Sequence, residues 1–329
     1  MGLLAALPVN AQLVTPDVLK VVVSPQIPAP GETVRLEAQG LGTFLGDATI
    51  TWKQDGKVVK SGIGERTLTF VAGPLGRLTT IQMTVVSATQ GTITREFYFV
   101  PAIVRLLWEA DTSVPPLYRG KALYTPGSEV RVIAFPQVVV RGATISPNNL
   151  SFQWKRDGQP APEQSGKGRN IFTYTGKQLL GDETVGVEVY FDNARVAEGS
   201  LVVPASEPAI VLYQRDPLRG VLWSEALPSA IALTAKEITV QAVPYFFSAK
   251  DLAGNLSFNW KLNGNTTTGP NAAEGLMTLR QTGQGGGQAL LSASLQNTNG
   301  ARLLQSAETS VRMVFGSQTS GGISSFFGL

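Results

Sequence analysis

The stretch "TWKQDGK" at residues 51–57 is written twice more, as "QWKRDGQ" at 153–159 and "NWKLNGN" at 259–265. Each is a hairpin phrase: a strand carrying a tryptophan, then Asp-Gly or Asn-Gly, the pairs that accept positive φ and close a two-residue β-turn. The tryptophans are Trp52, Trp154 and Trp260, so the spacing is 102 and then 106 residues. The turn residues are Asp55-Gly56, Asp157-Gly158 and Asn263-Gly264.

Working outward, a strand with period two stands upstream of each tryptophan: "PGETVRLEA" (30–38), "PGSEVRVIA" (126–134) and "TAKEITVQA" (234–242). Alternate positions are apolar, which predicts one buried and one wet face. Downstream, Thr-rich strands lead to Gly73, Gly176 and Gly283. Further alternating strands follow at 81–88, 185–191 and 289–295, and each unit closes with one more strand. The phrase "PAIV" marks the boundary at 101–104 and again at 208–211. Short strands with frequent turns, at a period near 105 residues, specify an all-β chain of three tandem β-sandwich domains. Their expected extents are 12–101, 102–206 and 207–316.

This pattern of strand, tryptophan and Asp-Gly or Asn-Gly resembles immunoglobulin-like (Ig-like) domains. More narrowly, the chain resembles tandem Ig-like or PKD-like surface proteins of bacteria. The resemblance implies that Trp52, Trp154 and Trp260 pack at the sandwich centres, and it implies a cell-surface setting. The chain departs from antibody-type domains in having no cysteine pair, and from PKD domains in lacking a clean Trp-x-Phe-Gly-Asp-Gly.

Composition narrows the chemistry. With no Cys and no His, the 329-residue chain has no thiolate or imidazole metal ligand, no cysteine nucleophile and no Ser–His–Asp triad. Each sandwich must stand on its hydrophobic core without a disulfide. The net charge of +3 is spread evenly: 8 basic and 7 acidic residues in 12–101, 11 and 10 in 102–206, 8 and 7 in 207–316. Such a distribution offers no basic tract to follow a phosphate backbone, so no nucleic acid partner is expected. "GQGGGQ" (283–288) lacks a following Lys-Ser/Thr and reads as a loop. Asp182-Glu183, and Asp251 near Asn255, are the two corners where weak calcium binding is conceivable. No catalytic, cofactor or resident metal site is assigned.

Two further stretches recur. "LLWEADTSVPPLYRGKALYTPG" (106–127) and "LYQRDPLRGVLWSEALPS" (212–229) read as insertions before the second strand of copies two and three. Both carry a Pro-Leu-(x)-Arg-Gly core. Trp108, Tyr118, Arg119, Arg219 and Trp223 within them are expected either to pack on the preceding domain and stiffen the joint, or to offer an aromatic and arginine contact surface. Linkers between copies are short and proline-bearing, so a rod-like arrangement is expected.

The chain opens "MGLLAALPVNAQ", which reads as the tail of a secretory signal peptide over residues 1–11, cleaved before Gln12. It closes with a Gly/Ser linker and an apolar tail, 317–329, where Ile323, Phe326, Phe327 and Leu329 form a docking or sorting element or the beginning of a membrane anchor. The expectation is an exported, non-enzymatic envelope protein, a stalk, adhesin or scaffold whose partner is a protein or a cell-wall or surface polymer. The alternatives are an assembly subunit docking through the tail or an edge strand, and a carbohydrate-binding or carbohydrate-cleaving module set.

Overall fold

In the computed structural model the described residues are 19–40, 44–233, 235–283 and 286–315. They form three tandem Ig-like β-sandwiches. In the first, Leu19–Ser24, Thr33–Gly40 and Thr67–Val71 make one sheet in that spatial order. The facing sheet runs Lys57–Ile63, Thr49–Gln54, Thr79–Ser87, Gly91–Phe99. Period-two alternation is the reason: Val34, Leu36 and Ala38 point inward from one sheet and meet Ile50, Trp52, Ile81, Met83 and Val85 from the other. Leu45, on the one-turn helix Phe44–Asp47, joins the same core.

The second sandwich repeats this order. Ile171–Thr175, Glu129–Gln137 and Ile103–Ala110 form one sheet, and Gln159–Pro160, Ser151–Arg156, Glu183–Phe191 and Ala194–Val203 the other. The third widens both sheets by one strand. Gly220–Ala226 extends the edge beside Ala209–Asp216, with Glu237–Tyr245 and Leu276–Arg280 beyond. Ala230–Leu233 pairs in parallel with Ser306–Phe315, next to Gly287–Asn297, Leu256–Leu262 and Asn265–Thr267.

The chain groups into two compact units that do not follow the repeat boundaries. One takes residues up to 104 together with 136–151 and 188–198. The other takes 105–135, 152–187 and everything from 199 onward. The second unit therefore holds most of the middle sandwich and all of the third. No helix among the described residues is long and apolar enough to cross a membrane.

Candidate functional site

The three tryptophan hairpins are built to one plan. Trp52, Trp154 and Trp260 are 0%, 1% and 1% exposed. A buried indole needs an acceptor for its N–H. Each Nε1 donates to a backbone carbonyl: Trp52 to Glu65 at 2.8 Å, Trp154 to Arg169 at 2.8 Å, Trp260 to Ala272 at 3.0 Å. The turns that follow place both central residues at positive φ: 50° and 81° at Asp55-Gly56, 49° and 78° at Asp157-Gly158, 50° and 83° at Asn263-Gly264. The first turn residue is also clamped to the neighbouring strand. Its side-chain Oδ1 accepts the N–H of Thr80 (2.9 Å), Thr184 (2.9 Å) or Leu290 (2.8 Å). Its own N–H donates to the carbonyl of that same residue in all three copies. These residues are architectural.

The buried polar chemistry lies elsewhere, inside the second unit, where the middle and third sandwiches meet. Backbone pairs cross the joint: Ser113 N–H donates to the Phe247 carbonyl (2.6 Å), and Phe246 N–H to the Ser113 carbonyl (2.7 Å). Thr125 Oγ1 donates to the Phe246 carbonyl at 2.7 Å. Gln305, fully buried, donates from Nε2 to the Pro126 carbonyl (2.9 Å) and Thr125 Oγ1 (3.2 Å), while its Oε1 accepts from Ser248 N–H and Asn297 Nδ2. Behind it sits Asp251, whose carboxylate accepts from Asn255, Asn297, Asn299 and Arg302. Arg302 also donates from Nε to the Gly127 carbonyl at 2.9 Å, carrying the network back across the joint. At the solvent margin Lys250 and Glu129 close an ion pair at 2.7 Å. Burial alone pushes the Asp251 carboxyl up, but the amide donors of Asn297, Asn299 and Asn255 and the Arg302 charge more than offset it. The group is held below the ordinary carboxylate range.

A second buried carboxylate stands in the middle sandwich. Glu183 is fully buried and accepts from the Tyr124 hydroxyl (2.6 Å), Arg156 Nε (2.5 Å) and Lys177 N–H (2.8 Å). Burial, then the hydrogen bond to Glu183, pushes the Tyr124 hydroxyl far up. The two corners considered for calcium are thus filled by hydrogen-bond donors. A cation needs several convergent oxygens, whereas Asp251 faces amide and guanidinium N–H groups and Asp182 Oδ1 accepts from Ala205 N–H. Among the described residues no group of three acidic side chains is placed to hold a metal ion.

The two recurrent stretches differ from their sequence reading. Trp108 lies within the first strand of its sandwich, Ile103–Ala110, with Lys121 Nζ 3.1 Å from its ring centroid. Burial lowers the Lys121 ammonium. Tyr118 packs on the following repeat, not the preceding one, meeting Tyr245 and Phe246 edge-on at 5.8 and 5.9 Å. Trp223 lies on the added edge strand Gly220–Ala226 and packs on Tyr213 of its own sandwich at 5.3 Å. Arg219 pairs with Asp216 in the adjoining turn, at 3.5 Å, and Arg119 is exposed. The shared Pro-Leu-(x)-Arg-Gly letters adopt unlike conformations. Residues 217–219 turn a hairpin, whereas Leu117 takes a φ of 67° in a loop. Phe326 and Phe327, like residues 1–11, lie outside the described residues.

No protein-family model and no curated protein matches the chain. Solved structures similar to it are arrays of sandwiches. The fibronectin(III)-like modules of Clostridium thermocellum CbhA are 14% identical, covering 56% of this chain and 95% of that one, with a TM-score of 0.29. Three N-terminal domains of the outer capsid protein Hoc of bacteriophage RB49 are 13% identical, covering 91% and 98%, with a TM-score of 0.26. The central fibronectin-III array of RIM-binding protein is 12% identical, covering 91% and 96%, with a TM-score of 0.31. The Ig-like assignment of each repeat rests on its own strand order.

Proposed function

We propose that the chain is an exported, non-enzymatic structural protein of the cell envelope, a stalk or scaffold whose sandwiches hold a set spacing. The observation that carries this reading is the buried polar joint between the second and third repeats. Its buried side chains, Thr125, Ser248, Asp251, Asn297 and Gln305, are spent on fixing one sandwich against the next. An open site would instead leave polar groups converging on solvent with unfilled hydrogen-bonding capacity. The two buried carboxylates are each enclosed by donors, which suits holding and not proton transfer. A sequence without Cys or His supports the same direction, and the export half of the proposal rests on the signal-like residues 1–11.

Fractionation of source cells with mapping of terminal peptides by mass spectrometry tests the proposal. It expects a mature N-terminus at Gln12 in the envelope fraction. Intact Met1 in the cytosol would sink the envelope reading.

A further inference from the structure

Three asparagine amides donate to the buried Asp251 carboxylate, and a different residue follows each. Asn255 precedes Leu256, Asn297 precedes Thr298, and Asn299 precedes Gly300. The carbonyl carbon of an asparagine side chain is open to attack by the backbone nitrogen of the next residue. A side chain on that residue shields the nitrogen and restricts the approach, and glycine imposes neither limit. Asn-Gly occurs twice in the chain, at 263–264 and at 299–300.

The two pairs are held differently. Asn263 is fixed in its hairpin turn by two bonds to Leu290, one through its N–H and one through Oδ1. Aspartate already stands at the same turn in the first two repeats, as Asp55 and Asp157. Asn299 instead caps the one-turn 3-10 helix Gly300–Arg302 from an extended backbone, φ −69° and ψ 122°. Its Oδ1 accepts the Ala301 N–H, and its Nδ2 donates to Asp251 Oδ1, each at 3.0 Å. Gly300 is exposed, and its N–H, the first of the helix, has no acceptor among the described residues. The attacking nitrogen is therefore uncommitted, and the joint's own hydrogen bonds are what restrain the Asn299 amide.

We infer that Asn299-Gly300 is a self-modification site by which the joint between the second and third sandwiches is released with age. The bond from Gly300 N to Asn299 Cγ forms, the Cγ–Nδ2 bond breaks, and the proton lost from Gly300 N leaves on ammonia. Water then opens the five-membered imide at either carbonyl, leaving aspartate or isoaspartate at position 299. Aspartate removes a donor and sets a second carboxylate where the amide lies 3.0 Å from Asp251 Oδ1, so like charges meet in the network. Isoaspartate routes the main chain through Cγ and lengthens it just ahead of Arg302. That side chain crosses the joint to the Gly127 carbonyl at 2.9 Å and holds Asp251 Oδ2 at 3.1 Å. Asn255 and Asn297 keep their amides, because Leu256 and Thr298 shield the nitrogens that would attack them. The inference rests on the joint described above and not on export.

The test ages the purified full-length chain in mildly alkaline buffer and maps its peptides by mass spectrometry. Aspartate and isoaspartate are expected at position 299, with Asn255 and Asn297 intact. Gly300→Ala should slow the reaction by about tenfold or more, since it shields the nitrogen. That variant keeps the fold, because a Cβ on Gly300 meets nothing within 4 Å. The aged fraction, separated by its added negative charge, and the Asn299→Asp variant are then compared with fresh chain by hydrogen exchange. Peptides covering residues 111–128 and 244–252 should exchange about tenfold faster or more in both, while peptides containing Trp154 and Trp260 stay protected. Reaction at Asn263 with Asn299 intact overturns the inference, as does a Gly300→Ala chain that reacts as fast as the parent. Unchanged protection of the joint in the aged fraction and in Asn299→Asp also overturns it. A joint already unprotected in fresh chain overturns the inference together with the structural role proposed above, and of these outcomes it alone touches that role.

Discussion

At the residue scale the three tryptophans carry the cores. Trp154 stacks on Phe172 with ring centroids 5.4 Å apart and is sealed by its bond to Arg169. Trp154→Ala is expected to cost roughly 3–5 kcal/mol, read as a lowered chemical-denaturation midpoint. An unchanged midpoint would contradict its central place. Asn263→Ala removes the bond to Leu290 N–H and puts a less tolerant residue at a φ of 50°. A loss of about 1–2 kcal/mol in the same assay is expected. The tryptophans and their turns were legible in the sequence because a strand period and an Asn-Gly or Asp-Gly pair are local signals. Their indole acceptors were not, since any residue supplies a carbonyl and only the path of the chain 12–15 residues later selects Glu65, Arg169 and Ala272.

At the element scale the informative part is the joint. In the sequence Asp251 stood only as a conceivable calcium corner, and Gln305 pairs with a threonine 180 positions away. No periodicity reports such a contact. The two recurrent stretches were misleading for the converse reason, because four shared letters carried no information on φ. The joint also has a pH signature. The Asp251 carboxyl is lowered in the folded chain against about 3.9 when unfolded. Its contribution is therefore complete above roughly pH 5 and is lost as the pH falls through the lowered native value. Thermal melts of the parent chain between pH 7 and pH 3 should lose more stability than those of Asp251→Asn, which has no carboxyl to protonate. Asp157, lowered by the Thr184 N–H and by Lys177, and Asp216, lowered by the Arg219 and Leu218 N–H groups, remain in both chains. The difference between the two curves thus belongs to Asp251, and parallel curves would deny it a role in the joint.

At the scale of the whole molecule the account turns on whether the second and third sandwiches are held as one body within their unit. Breaking the buried Asp251–Arg302 ion pair from one side costs about 3–5 kcal/mol, and leaving the neutral partners of buried Gln305 unsatisfied costs about 1–3 kcal/mol each. Removal of Asp251 or Gln305 should therefore release the joint while both cores persist. Hydrogen exchange followed by mass spectrometry tests this most directly, on peptides covering residues 111–128 and 244–252. In the parent chain the amides of Ser113, Phe246 and Phe247 should exchange slowly, with a common opening rate. In Gln305→Ala both peptides should lose protection together, while those containing Trp154 and Trp260 keep theirs. Fast exchange at Ser113 and Phe246 in the parent chain, with the two tryptophan strands protected, would contradict a fixed joint and with it the structural role proposed for the chain.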